Sequence, residues 1–344
     1  MSVNYSNQLH LLNEKVKNEN YLPEEEWFNS VNDILKTNEN SNITCEILAN
    51  LCRLDEGRKL CHEKLDYEIV LNLFKDNFNK QYFRLVANIT YESGETRQKL
   101  LKCENISNLN HVVVLINKKE SQDFIKAIVG MVLNLCIDSF NFCSMFIKAG
   151  VLNCVLNVLK DSENALYTDL SWQLLSVLSA SGSSQILSDD FVDFLIINLN
   201  NKSTENSILE YVFEILTNII VDNDKCMKLM IDKKCFETLL NQNDTYLEKS
   251  LKLVVFLSSY DNCIDEIDFD LVSKKLFHFL KYKDTIYEYV MLIFGNLCRN
   301  KNFNVKCIEM NLANEITVKI NEKCSPDILY ALCATLKNLL VIST

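Results

Sequence analysis

Apolar residues recur along the chain at the three- and four-residue spacing of a helix face, and one polar residue interrupts them in the same place each time. Leu48-Ala49-Asn50-Leu51-Cys52 is followed by Val86-Ala87-Asn88-Ile89-Thr90 and Val132-Leu133-Asn134-Leu135-Cys136. The phrase returns as Leu216-Thr217-Asn218-Ile219-Ile220, Phe294-Gly295-Asn296-Leu297-Cys298 and Leu336-Lys337-Asn338-Leu339-Leu340. Gaps of 38, 46, 84, 78 and 42 residues separate the asparagines. The two double gaps each hide a degenerate copy, at Ser176 and Ser258. Seven steps over 288 residues give a period of about 41.

That period is the armadillo and HEAT length, at which each unit is two or three helices that bury their apolar faces only against neighbours. Flanking residues agree. A short polar stretch follows each asparagine, then an apolar helix, then a turn such as Gly150, after which Val151, Val155, Val158 and Leu159 keep helical spacing. Pro23 before Glu24-Glu25-Glu26 reads as a helix start, with proline in the first position and acids at the positive end of the dipole. Average usage would give roughly 24 Gly and 17 Pro at this length, whereas the chain has 6 and 2. Sheets and phosphate-binding glycine loops need more of both. The expected fold is all-α: a right-handed armadillo/HEAT-type α-solenoid of about eight repeats in a single domain, 1–344. The approximate repeats are 22–62, 63–103, 104–149, 150–188, 189–234, 235–267, 268–311 and 312–344.

Charge narrows the partners. Lys+Arg 35 against Asp+Glu 46 gives a formal net charge of -11 and a pI near 5.0. A nucleic-acid partner needs clustered cations, so it is excluded, and a basic partner is favoured. The 14 cysteines include no CxxC pair, and the N-terminus carries no secretion signal. The longest apolar stretch, Ala127 to Ile137, is interrupted by Asn134 and too short to span a bilayer. These features predict reduced cysteines, no direct membrane insertion and a cytoplasmic location. His10, His62, His111 and His278 are scattered, and no Walker loop, GxSxG or HExxH occurs. Neither an enzyme, a cofactor nor a metal is expected.

An asparagine inside an apolar helix needs a reason, because burying its amide unpaired costs about 1–3 kcal/mol. Two readings stand. An Asn ladder could line a groove and offer donor and acceptor to another chain's backbone, or each amide could brace the neighbouring repeat. Four residues after the asparagine, nominally on the same helix face, come Glu92, Asp138 and Asp222, with Asn300 in the seventh unit. Glu210 and Glu214 precede Asn218 at the same spacing. Arg299 is one cation inside this acidic strip, placed to accept a partner's carboxylate. The candidate groove set is Asn50, Asn88, Glu92, Asn134, Asp138, Glu214, Asn218, Asp222, Asn296, Arg299, Asn300 and Asn338.

At these residues the chain resembles the small-GTPase GDP dissociation stimulators. Asn88-Ile89-Thr90-Tyr91-Glu92-Ser93 with Gly94-Glu95-Thr96-Arg97 is similar to that family's Asn-x-Cys-Tyr-Asp-Ser…Gly-Arg segment. Gly130-Met131-Val132-Leu133-Asn134 followed by Ile147-Lys148-Ala149-Gly150-Val151 looks like its next repeat. Asn296-Leu297-Cys298-Arg299-Asn300 and Leu336-Lys337-Asn338-Leu339 resemble later ones. The likeness spans roughly residues 45–344; family members are longer, and the fourth and sixth units here lack the asparagine. It implies a non-enzymatic partner of Ras- and Rho-type small GTPases. Such a protein takes the switch region and the basic, prenylated C-terminal tail, promoting nucleotide exchange or handling the tail. It also implies Asn88, Glu92, Asn134, Asp138, Asn296, Arg299, Asn300 and Asn338 as contacts. A general armadillo adaptor, ataxin-10-like, that binds another extended basic partner is the alternative. An importin-type receptor would need Trp four residues before the ladder position, which only Trp172 supplies.

The last helix, Pro326 to about Ile342, is apolar on most of its circumference, with Leu329, Leu332, Leu336, Leu339 and Leu340. Terminal units of solenoids normally turn a polar face outward. Self-association, a partner or further repeats are therefore expected at this end.

Overall fold

The computed structural model describes residues 2–37, 40–76, 78–117, 121–160, 168–186, 188–201, 203–221, 223–261, 267–322 and 324–342. These residues are helical, with no strand among them. The chain forms two compact units, Met1–Ile186 and Leu187–Thr344. The first begins with α1 (Ser2–Glu19), α2 (Glu25–Thr37), α3 (Ser41–Leu51), α4 (Asp55–Lys64), α5 (Tyr67–Asp76) and α6 (Lys80–Thr90). It continues through α7 (Gly94–Leu101), a 3-10 turn at Glu104–His111, α8 (Val112–Asn117), α9 (Gln122–Cys136), α10 (Phe140–Ala149), α11 (Val151–Lys160) and α12 (Thr168–Ile186).

The second unit holds α13 (Asp189–Asn200), α14 (Asn206–Ile220), α15 (Asp224–Asp232), α16 (Cys235–Leu240) and α17 (Leu247–Ser259). After these come α18 (Phe269–Phe279), α19 (Asp284–Leu297), α20 (Lys301–Glu309), α21 (Leu312–Ile320) and α22 (Pro326–Ile342).

Each unit is a stack of like helices. In the first, α1, α3, α6, α9 and α12 pack each against the next; in the second, α14, α17, α19 and α22 do so. Every phrase with an asparagine, and both serine copies, falls on one of these stacked helices. Their apolar stripes supply the core. Ile47, Leu48, Leu85, Val86, Val132, Leu135, Leu174 and Leu178 are buried in the first unit, and Leu216, Ile219, Leu253, Leu257, Ile293 and Leu297 in the second. Gly150 ends α10 with φ 91°, the left-handed region open to glycine. Pro23 stands two residues ahead of α2 rather than at its first position, so Glu25 and Glu26 occupy the first turn.

A carboxylate fastens one outer joint. Glu68 on α5 accepts from the Glu104 backbone N–H at 2.6 Å, the Asn105 N–H at 3.2 Å and the Asn105 Nδ2 at 3.0 Å. Those donors, the Glu104 N–H foremost, hold its carboxyl below the ordinary carboxylate range. A carboxyl depressed on folding stabilises the fold above its unfolded pKa, and that contribution fades as pH falls through the folded value. Glu68→Gln should therefore destabilise at neutral pH and make the fall of stability with acid shallower. Urea unfolding of the two proteins at neutral and acid pH checks this; parallel curves would show that Glu68 is not linked to folding.

Among the described residues no single helix is long and apolar enough to cross a membrane. α10 and α11 together have the length and composition but bend by 70° between them. On α22, Leu332 and Leu339 are buried, while Leu329 and Leu340 are 42% and 59% exposed and Tyr330 and Val341 are also exposed.

Candidate functional site

The ladder is built by one repeated hydrogen bond. Asn88 Nδ2 donates to the Ala49 carbonyl at 2.7 Å, Asn134 Nδ2 to the Ala87 carbonyl at 2.8 Å, and Asn338 Nδ2 to the Gly295 carbonyl at 2.8 Å. In each case the acceptor belongs to the residue just before the previous ladder asparagine. The reason lies at the helix end, where the last four carbonyls have no partner within the helix. In α3 the turn takes three of them: Cys52 N–H bonds Leu48, Arg53 N–H bonds Asn50 and Leu54 N–H bonds Leu51. Ala49 is left over, and Asn88 takes it. In α19 the same three bonds go to Phe294, Asn296 and Leu297, and Asn338 takes Gly295.

The residue that offers its carbonyl is small, alanine or glycine, so the next helix can come close. A Cβ at Gly295 would lie 3.0 Å from Thr335 Oγ1. Where the following unit has serine instead of asparagine, the corresponding residue is neither alanine nor glycine: it is Leu133 before Ser176 and Thr217 before Ser258. Asn296, which follows Ser258, reaches Ser258 Oγ at 3.0 Å and the Val255 carbonyl at 3.3 Å instead. Asn50 donates to Asn13 Oδ1 at 3.0 Å and accepts from Arg84 Nη2 at 3.0 Å. Bracing between repeats is therefore the geometric role of Asn50, Asn88, Asn134, Asn296 and Asn338.

Two further features were hidden in the sequence. Asn13 on α1 is a ladder position ahead of the first one recognised, obscured because Glu14-Lys15 follow it where apolar residues were expected. A second set of braces comes from the helix that follows four of the ladder helices, α3, α6, α9 and α19. Arg58, Arg97, Cys143 and Asn304 donate to the carbonyls of Cys52, Thr90, Cys136 and Cys298, each two residues past a ladder asparagine. Arg97 also reaches the Asn134 carbonyl at 3.2 Å, and Asn304 the Asn338 carbonyl at 3.0 Å. A polar donor eight or nine residues after the asparagine is the signal that would have found them.

The acidic strip is not a helix face. α6 ends at Thr90 and α9 at Cys136, so Glu92 and Asp138 sit in the turns beyond, exposed and with φ of 51° and 53°. Each also precedes the N-terminus of the next helix, α7 or α10, where a carboxylate is favoured and offsets the C-terminus it follows. Asp222 lies outside the described residues. Asn300 caps α20, its Oδ1 accepting from Asn302 N–H at 2.9 Å and Phe303 N–H at 3.2 Å. Arg299 does not wait for a partner's carboxylate. Its Nη1 meets Asp261 Oδ1 at 3.0 Å, its Nη2 donates to the Ser258 and Ser259 carbonyls, and its Nε to that of Asn296. It ties the end of α17 to the end of α19.

Glu214 and Asn218 lie one turn apart on α14. With Glu210, Tyr211, Phe213, Thr217, Lys249 and Lys252 they line a cleft of about 380 Å³ on α14 and α17 of the second unit. Glu210 pairs with Lys249. Glu214 is exposed and forms no ion pair with a described residue. On α19, burial and the charge of Asp327 raise the Glu288 carboxyl. Cysteines play a packing part. The hydrogen bond from Cys61 and burial hold the Cys52 thiol well above its ordinary value, and Cys298 with burial does the same to Cys307. Among the described residues no group of three or more His, Cys, Asp or Glu is placed to hold a metal.

No protein-family model matches the chain, and no curated protein does. Solved structures do. One engineered protein aligns at TM-score 0.72 with 15% identity, over 91% of this chain and 78% of its own. A second aligns at TM-score 0.55 with 15% identity, over 68% of this chain and 97% of its own. A chain from a structure of the interaction between cadherin and beta-catenin, controlled by a phosphorylation switch, aligns at 0.71 with 10% identity, over 92% and 69%. At such identities the likeness is one of fold alone, and that fold is an α-solenoid resembling armadillo proteins.

Proposed function

We propose that the chain is a non-enzymatic protein-binding scaffold of the cytoplasm, and that its partner is a Ras- or Rho-type small GTPase with a basic C-terminal tail. Its action would be to promote nucleotide exchange or to handle the tail. The observation that carries the basic-tail part is the α14–α17 cleft, where Glu214 offers an uncommitted carboxylate beside Tyr211 and Phe213. A lysine or arginine stem can lie against the half-buried Tyr211 ring while its charge meets Glu214. Stacked helices joined by side-chain-to-carbonyl bonds supply a stiff platform, which limits the entropy lost on binding. The motif resemblance supplies the GTPase; fold likeness to an armadillo protein supplies only the scaffold.

Purified Ras- and Rho-type GTPases, with and without their tails, give the test. Tailed forms should bind, more weakly as salt rises. Glu214→Lys should reduce affinity about tenfold, as expected for losing one close charge pair and gaining a repulsion. Release of labelled GDP measures exchange. Failure of every GTPase, with retention of other basic segments that Glu214→Lys abolishes, would leave the adaptor reading in its place.

A further inference from the structure

The first unit carries a second cleft on its ladder face, and its chemistry is of opposite sign. Some 270 Å³ of space lies over α6, α9 and Leu170 of α12, bordered by Arg84, Asn88, Lys126, Gly130 and Asn134, with Ala87 and Ala127 as a low floor. Arg84 stands one turn before Asn88, and Gly130 one turn before Asn134, so the two share a level on neighbouring helices. The half-buried Arg84 guanidinium is held by two uncharged oxygens: Nη1 donates to Gln81 Oε1 at 2.7 Å and Nη2 to Asn50 Oδ1 at 3.0 Å. No described carboxylate lies within ion-pair distance of it, including Glu46, the acid nearest in register on α3. Lys126 forms no direct ion pair with a described acid: Asp123 on its own helix pairs with Lys80 at 3.0 Å and feels Lys126 only as a more distant charge. A guanidinium has five donors in a fixed fork, and among the described residues two of them find an acceptor.

Gly130 is the independent observation. It lies inside α9, where glycine weakens a helix, yet a Cβ added there would meet nothing within 4 Å. Packing does not require the glycine. What it does is keep the space beside Arg84 open.

We propose that this cleft takes a carboxylate side chain from an extended acidic segment of a partner protein, bound to Arg84 in fork-to-fork fashion with Lys126 as the second cation. Arg84 is pre-oriented by Gln81 and Asn50, so little ordering is needed at binding, and the ladder amides beside it suit a polar main chain. The site is separate from the α14–α17 cleft and asks for the opposite charge.

A fluorescent peptide of alternating glycine and glutamate is the probe, with glutamine, lysine and phosphoserine versions of equal length, followed by anisotropy at low salt. The glutamate peptide should bind best. Arg84→Gln and Lys126→Gln should each weaken it about tenfold or more, the loss expected for a charge-assisted contact. Gly130→Leu should abolish it with the thermal transition kept, which guards against the chance that Arg84→Gln loosens its bond to Asn50. Equal binding of the glutamine peptide, no loss in Gly130→Leu or Lys126→Gln, or preference for lysine would overturn the proposal. Tighter binding of the phosphoserine peptide, or of a single-stranded oligonucleotide, would overturn the choice of carboxylate. The basic-tail reading is untouched by any of these, since it is probed with Glu214→Lys.

Discussion

Alanine at Gly57 is expected to unfold the first unit or destabilise it by more than about 3 kcal/mol, well beyond an ordinary overpacking change. Gly57 is buried in α4, where its backbone rests on the end of α3. An added Cβ would lie 2.2 Å from the Leu51 oxygen and 2.7 Å from the Leu51 carbonyl carbon. Those atoms cannot yield cheaply. Leu51 O accepts the Leu54 N–H at 2.9 Å, and Arg58 clamps the next residue's carbonyl at 3.0 Å. Gly130 makes the opposite case in the same unit: with nothing near its added Cβ, alanine there should raise stability by about 0.5–1 kcal/mol through helix propensity. Trp27 and Trp172, the chain's 2 tryptophans, both lie in the first unit, so their fluorescence reports its unfolding alone. A wild-type transition in Gly57→Ala would mean that α4 can slide off α3 without loss.

Leucine at Asn304 should cost the second unit about 2–4 kcal/mol, the sum of a lost buried amide and carbonyls left without donors. Asn304 is 1% exposed. One Nδ2 serves Cys298 O at 3.3 Å, Asn338 O at 3.0 Å and Leu339 O at 3.3 Å, so it joins α20 to the ends of both α19 and α22. Leucine has the same branched four-atom side chain with bulkier methyls and no donor, so the variant opens no cavity and the loss is not one of cavity formation. Far-UV circular dichroism should show an early helical loss while tryptophan fluorescence is unmoved, because the second unit holds no tryptophan. Coincident early loss in both signals, or none in either, would contradict this placement. Asn300→Ala, which removes only a cap, should cost about 1 kcal/mol by the same measurement.

The stacked helices were legible because each must hide an apolar stripe while its polar interruption returns at a fixed interval. Even Ser176 and Ser258, where the letter is lost, fall on ladder helices. The second set of braces was not legible. Arg58, Arg97, Cys143 and Asn304 share a task and no chemistry beyond a donor, so no letter repeats. The strip of acids was misread because helical register was carried two residues too far: α6 and α9 stop before Glu92 and Asp138. Periodicity says which side chains share a face, but only the end of the helix says where the face ends. Arg84 escaped notice because its significance is the missing carboxylate, and that depends on what α3 and α9 bring near it.

The single amide that joins each ladder helix to its predecessor also sets where the structure can open. Asn88 and Asn338 bond a leftover carbonyl of the helix before them, so separating those pairs exposes a bare acceptor as well as apolar surface, while the Ala87 carbonyl that Asn134 takes keeps the Thr90 hydroxyl at 3.2 Å. At Ser176 no carboxamide is available, so the asparagine tie is missing from the α9–α12 contact. Opening there forfeits apolar contact without breaking an asparagine-to-carbonyl bond of the ladder. Amide protons on α12 should therefore exchange with deuterium before those of α3, α6 and α9, making that helix the yielding member of an otherwise cross-tied stack.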